Sequence, residues 1–135
     1  MPPASPEERA IYEALAGELR GLGLKPFVEY TISYGRNPPR WRQVDLYVVL
    51  PSEVEMWVEI DGPNHRGERN KTRDIQLAQL AENHGATLLH WPLWKVLHKG
   101  LSPLLAAVLR GDRHLGHAEV GDDQFYKVWD SRYSR

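Results

Sequence analysis

The chain has 135 residues, 41% of them apolar, which suits one domain with one core. It has no cysteine, so it holds no disulfide framework and no thiolate metal site. The N-terminus lacks the apolar stretch of a signal peptide, and no segment approaches the roughly 20 apolar residues that span a bilayer. These features together predict a cytoplasmic protein with no membrane partner. The formal net charge of −1 argues mildly against a protein that coats duplex nucleic acid. The distribution of charge matters more. Arg36, Arg40 and Arg42 lie in a stretch free of acids, and Arg66, Arg69, Lys71 and Arg73 lie in another, diluted only by Glu68. Such runs are commonly solvated loops, but both flank the acidic cluster described below.

Ser5-Pro6-Glu7-Glu8 opens a helix, with Ser5 as cap, Pro6 at the first position and Glu8 closing a capping box. Ile11, Leu15, Leu19 and Leu22 recur at helical spacing, and Gly21 and Gly23 end the element. Residues 27–34 read as a strand, 35–39 as a loop and 43–50 as a second strand. Pro51-Ser52-Glu53 forms a turn, and residues 54–61 return as a third, antiparallel strand. Gly62-Pro63-Asn64 breaks it. A second helix runs from about Lys71 to His84 and stops at Gly85. Residues 86–91 form a fourth strand. A helix separates it from the third strand, so the two are expected to pair in parallel through a right-handed crossover. Ser102 caps and Pro103 starts a last helix ending at Gly111. The order α-β-β-β-α-β-α describes an α/β fold, a mixed sheet flanked by helices. Residues 1–110 make this domain. Residues 111–135, with Phe125, Tyr126, Trp129 and Tyr133, lack a clean period and form an appendage that docks on the domain or on a partner.

Strand alternation puts Glu59 and Asp61 on one face of the third strand and Ile60 on the other. Asp45 lies on the neighbouring strand, with Val44 and Leu46 pointing opposite to it. A hairpin turning near Ser52 brings Asp45 level with the Glu59–Asp61 end. Three carboxylates would then converge, which is costly unless a cation neutralises them. Oxygen donors without thiolates point to Mg²⁺, with Mn²⁺ as a substitute. Such a site suits phosphodiester hydrolysis by a metal-activated water. The plain alternative is three exposed acids on a solvated rim, and the two readings weigh about equally. Glu8 closes the capping box, yet shares a helix face with Ile11, Tyr12, Leu15 and Leu19 that is expected to sit on the sheet. His65 is either a surface residue or a general acid, base or metal ligand. Asp74 either favours the dipole of its helix or orients His65. His84 and His90 read as structural, and His98, His114 and His117 offer no metal-binding spacing.

Glu59-Ile60-Asp61-Gly62-Pro63-Asn64-His65, an Asp at 74, and then Gly85-Ala86-Thr87-Leu88-Leu89-His90-Trp91 resemble the endonuclease domains related to very-short-patch repair endonuclease, within the PD-(D/E)XK superfamily. Ser5-Pro6-Glu7-Glu8 matches the helix start of that group, and Val44-Asp45-Leu46 matches its first acidic strand. The resemblance covers about residues 5–110. It implies a restriction-endonuclease-like core, with Asp45 and Glu59 as metal ligands. It also implies that Glu8, Asp45, Glu59, His65 and Asp74 occupy positions used for metal binding and proton transfer. One departure stands out: Asp61 replaces the lysine usually found two residues after the second acid. Glu59 to His65 also resembles the RAP domain, an RNA-binding relative of the same fold. Three functions follow as expectations. The first is a DNA endonuclease in which Arg36, Arg40 and Arg42 contact phosphate and Trp41 stacks on a base, with Arg66, Arg69, Lys71 and Arg73 on the second flank. The second is an RNA-binding module with a weak or inactive site. The third is a partner protein in a larger assembly, which the aromatic tail suggests. DNA is favoured over RNA, and double-strand cutting by so small an enzyme requires a homodimer or two sequential nicks.

Overall fold

The computed structural model describes residues 5–62 and 68–118, the side chains of 68–70 excepted. Helix α1 (Pro6–Gly21) begins as expected. The Ser5 hydroxyl accepts from the Glu8 N–H, and the Glu8 carboxylate accepts from the Ser5 N–H, both at 3.2 Å. Strands β1 (Phe27–Tyr34), β2 (Arg40–Val49) and β3 (Glu55–Asp61) follow, then α2 (Glu68–His84), β4 (Thr87–Pro92), α3 (Leu93–Lys99) and α4 (Ser102–Arg110). A short 3₁₀ turn covers Gly116–Ala118.

The four strands form one sheet in the order β1-β2-β3-β4. The first two pairings are antiparallel and β3–β4 is parallel, as a helical crossover requires. Leu46 lies opposite Val58 and Val48 opposite Met56, a register centred on Ser52. Helices cover both faces. On one, Tyr12, Leu15 and Leu19 of α1 join Val96 of α3 and Leu104, Ala107 and Val108 of α4 against Leu46, Val48, Met56, Val58, Ile60, Leu89 and Trp91. On the other, Leu77, Leu80 and Ala81 of α2 pack on Ile32, Val44, Trp57 and Leu88. Among the described residues, no helix is long and apolar enough to cross a membrane.

Four local differences from the sequence reading have physical causes. Strand β2 starts at Arg40 rather than Gln43, because Arg40, Trp41 and Arg42 pair with Tyr34, Ser33 and Ile32. Helix α2 starts at Glu68, three residues earlier than expected. Helix α3 was not expected at all; seven residues carry too little periodicity to show. Leu101 rather than Ser102 occupies the cap position of α4, with no side-chain cap bond, so Ser102 is already helical.

The break in β2 positions the site. Alternation would put Val44 and Leu46 on one face, opposite Asp45. Instead Val44 packs in the α2 layer and Leu46 in the α1 layer. The strand therefore turns over at Asp45. On β1, Glu29 is missing from the pairing between Val28↔Leu46 and Tyr30↔Val44, and it has a left-handed φ of 59°. An ion pair with Arg9 of α1 holds Glu29 in that conformation.

Beyond α4 the chain reaches the outer edge of β4 at His114 and then packs Gly116–Ala118 against α2. His114 bridges Leu89 in parallel, donating to the Leu88 carbonyl at 2.9 Å and accepting from the His90 N–H at 3.0 Å. The aromatic residues of the expected appendage, Phe125, Tyr126, Trp129 and Tyr133, lie outside the described residues.

The β2–β3 turn yields a first prediction. Exposed Glu53 has a φ of 71°, a region that costs an L-residue about 1 kcal/mol and glycine nothing. Glu53→Gly should therefore keep or raise stability, by up to about 1 kcal/mol, in urea unfolding, whereas Glu53→Val should lower it. A clear loss in the glycine variant would contradict the strained turn.

Candidate functional site

Because β2 turns over at Asp45, the β2–β3 ladder ends at Leu46↔Val58. The Ile60 N–H lies beyond that last pair and donates instead to the Tyr12 hydroxyl at 2.6 Å. The same hydroxyl donates to Asp45 Oδ2 at 2.9 Å. Tyr12 is 1% exposed, so one buried side chain of α1 ties the two strands together where they part. A buried N–H left without this partner would cost about 1–3 kcal/mol.

Asp45 is half-buried. The register carried one step beyond Leu46↔Val58 brings it beside Glu59, which is 4% exposed. Glu59 Oε1 is buried and has no hydrogen-bond partner among the described residues. Burial, the Asp45 charge and a hydrogen bond shared with Asp45 push the Glu59 carboxyl well above the usual carboxylate range. Arg42 opposes this and Asp61 adds to it. Burial pushes the Tyr12 hydroxyl well up too, helped by the Asp45 and Glu59 charges. The site therefore concentrates negative charge where water is excluded, and a cation would relieve it.

Asp61 has a different partner. Its Oδ2 lies 2.8 Å from His90 Nδ1, and both side chains are 2% exposed. His90 Nε2 is 4.0 Å from Asp74 Oδ1. The Asp74 carboxylate accepts from the His117 N–H at 3.0 Å, which anchors the 3₁₀ turn to α2. Gly116 has a φ of 64°, and a Cβ there would come within 2.9 Å of Asp74 Oδ2 and 3.0 Å of the His90 ring. Only glycine lets the turn close over the pair. Burial pulls the His90 imidazole down, but the Asp61 charge, its hydrogen bond and Asp74 outweigh this and lift it to about 9. Burial raises the Asp74 carboxyl, with His90 opposing.

The expected acids thus divide into two neighbouring groups. Asp45 and Glu59 meet with Tyr12, while Asp61 and Asp74 hold a buried histidine. Among the described residues, no three His, Asp or Glu side chains converge closely enough to hold a metal by themselves. Two carboxylates remain sufficient for Mg²⁺, which commonly takes its other ligands from water and phosphate. The rim alternative fails for Glu59 and Asp61, since both are buried. Glu8 is 8% exposed and makes the capping box, one helical turn from Tyr12. Arg36 and Arg40 are exposed, Trp41 is 67% exposed, and Arg42, Lys71 and Arg73 are half-buried. Arg42 is near enough to Glu59 and His90 to act on the charge of both. His65, Arg66 and the side chain of Arg69 lie outside the described residues.

Sequence reasoning missed Tyr12 as a site residue, and it read His90 as structural without seeing its carboxylate partners. Tyr12 had a signal, a hydroxyl on the same helix face as Glu8. His90 had one only after pairing, since the parallel register sets it beside Glu59, two residues from Asp61.

The His90 cluster predicts an unusual pH profile in chelator. The folded imidazole at about 9 lies above the unfolded value of about 6.5. Its contribution is therefore fully present below pH 6.5 and is lost as pH rises through 9. That is roughly 3 kcal/mol by linkage. Raised Glu59 and Asp74 carboxyls act with the same sign, because each binds its proton more tightly when folded. Urea midpoints should fall between pH 6.5 and about 9, and His90→Gln should flatten that fall. A rising midpoint over the same range would contradict the cluster. Comparison of the chain with protein-family models, curated proteins and solved structures finds no match, so its own residues carry the reading of the site.

Proposed function

We propose that the chain is a metal-dependent endonuclease of the PD-(D/E)XK type, its sheet forming the restriction-endonuclease-like core. In this reading it hydrolyses phosphodiester bonds in DNA, in preference to RNA, in the cytoplasm. The observation that carries the reading is Glu59, a buried carboxylate with an unbonded oxygen beside the more exposed Asp45. Natural interiors leave few polar atoms without partners, so an orphaned buried carboxylate oxygen calls for an explanation. A divalent cation explains it. Asp45 and Glu59 would hold Mg²⁺, or Mn²⁺ in its place, and substrate phosphate and water would complete the shell. When bound, the ion supplies Lewis acidity towards a phosphate oxygen and an activated water. Tyr12 fixes one oxygen of Asp45 and thereby orients the carboxylate. Arg40, Arg42 and exposed Trp41 offer charge and a stacking surface for the strand. Double-strand cutting would need a homodimer or two successive nicks.

A specific observation favours a second reading. Asp61 stands where the family carries lysine, and it is bound to His90 rather than turned to a substrate. A RAP-like RNA-binding module with an inactive site accommodates that arrangement. It predicts salt-dependent RNA binding without cleavage.

The readings separate in a cleavage assay on branched, mismatched and single-stranded DNA with Mg²⁺ or Mn²⁺. The endonuclease reading predicts cleavage abolished by chelator, and a loss of about 100-fold or more in Asp45→Asn and in Glu59→Gln, the scale of removing one charge-stabilising group. Glu59→Gln should be as stable as the parent at neutral pH or more stable, because a neutral amide avoids the charge that burial and Asp45 disfavour. Full activity in either variant would overturn the site.

A further inference from the structure

A groove of about 360 Å³ lies between the sheet and α2. Its sheet wall is made by Tyr34, Arg40 and Arg42. Tyr34 is paired with Arg40, and Ile32 with Arg42, so these rungs share one face. Val44 continues that face into the α2 layer. The helix wall is made by Gln76, Gln79 and Asn83, three exposed amide side chains along one stripe of α2. Leu77 and Leu80 line it between them.

We propose that this groove binds one unpaired nucleotide of the DNA strand, its phosphate on the two arginines and its base against the amide row. The inference rests on the endonuclease reading and deepens it: the substrate carries a single-stranded or flipped-out nucleotide beside the scissile bond. Four features support this. The groove has cationic groups on one wall and neutral donor–acceptor groups on the other, as a nucleotide has phosphate at one end and a polar-edged base at the other. Arg42 Nε is buried and has no hydrogen-bond partner among the described residues, so a donor is held ready at the deep end of the sheet wall. Val44 and Trp57 pack in the α2 layer, and by alternation Glu59 faces the same way as Trp57, so the Arg42 end of the groove and this proposed metal ligand share one face of the sheet. Finally, the volume falls in the range of small-ligand sites, and a concave groove of that size takes a base, not a duplex.

The test is fluorescence anisotropy in EDTA, so that binding is read without cleavage. Probes are a labelled single-stranded DNA of about 12 nucleotides and a blunt duplex of equal length. The parent protein should bind the single strand more tightly. The double variant Gln76→Ala/Asn83→Ala should weaken single-strand binding about tenfold while leaving duplex binding and the thermal melt unchanged. Arg42→Gln should weaken binding to the single strand and lower its salt dependence. Equal binding of the two probes by the parent, or unchanged single-strand affinity in the double variant, would overturn the groove. Parent cleavage with a silent double variant removes the groove and leaves the endonuclease reading. Groove-dependent binding without cleavage in Mg²⁺ does the reverse.

Discussion

The hydroxyl of Tyr12 holds together two strands at the place where they cease to be a ladder. It accepts from the Ile60 N–H and donates to Asp45, and it does so in full burial. Without the turnover of β2 at Asp45, that residue would sit in an ordinary alternating strand. With the turnover, its carboxylate reaches both the α1 layer and Glu59. The distortion has a visible support in Glu29, whose left-handed backbone is held by Arg9 of the same helix. Helix α1 thus fixes the site from two points, Arg9 on β1 and Tyr12 between β2 and β3.

The second consequence is electrostatic. Three acids of the sheet, Asp45, Glu59 and Asp61, and Asp74 of α2 are dealt with in two ways. Asp61 and Asp74 enclose the His90 imidazole, which carries the compensating charge itself. For Asp45 and Glu59, Arg42 is the cation among the described residues that opposes the raised Glu59 carboxyl. The first pair is neutralised from within and locked by the turn at Gly116; the second is left to a proton or a cation. That contrast distinguishes Asp61 and Asp74, whose carboxylates face His90, from Asp45 and Glu59, which meet without a cationic partner of that kind among the described residues. The acid at position 61 serves His90.

Much of this was legible in the sequence where the signal is local or follows from a single turn. Ser5 and Glu8 announced the helix start, and Pro51-Ser52-Glu53 fixed the hairpin whose register brings Asp45 to Glu59. Parallel pairing of β3 and β4 followed from the intervening helix. The turnover of β2 was not legible, because Val44-Asp45-Leu46 reads as regular alternation and the cause lies on another strand and on α1. The partnership of Asp61 and His90 depends on a parallel register across a crossover, which no pattern within either strand specifies. Arg40 and Arg42 read as loop charges because their strand pairing depends on Tyr34 and Ile32, and their apposition to Gln76 and Asn83 exists only once α2 has docked.

The central claim is that Asp45 and Glu59 form a divalent-cation site. Mn²⁺ titration followed by electron paramagnetic resonance tests it most directly, because it reads the bound ion without a nucleic-acid substrate. The account predicts saturable binding by the parent protein that is strongly weakened in both Asp45→Asn and Glu59→Gln and unchanged in Asp61→Asn variants that remain folded. Binding that survives both substitutions at 45 and 59, or that disappears only with Asp61, would contradict it.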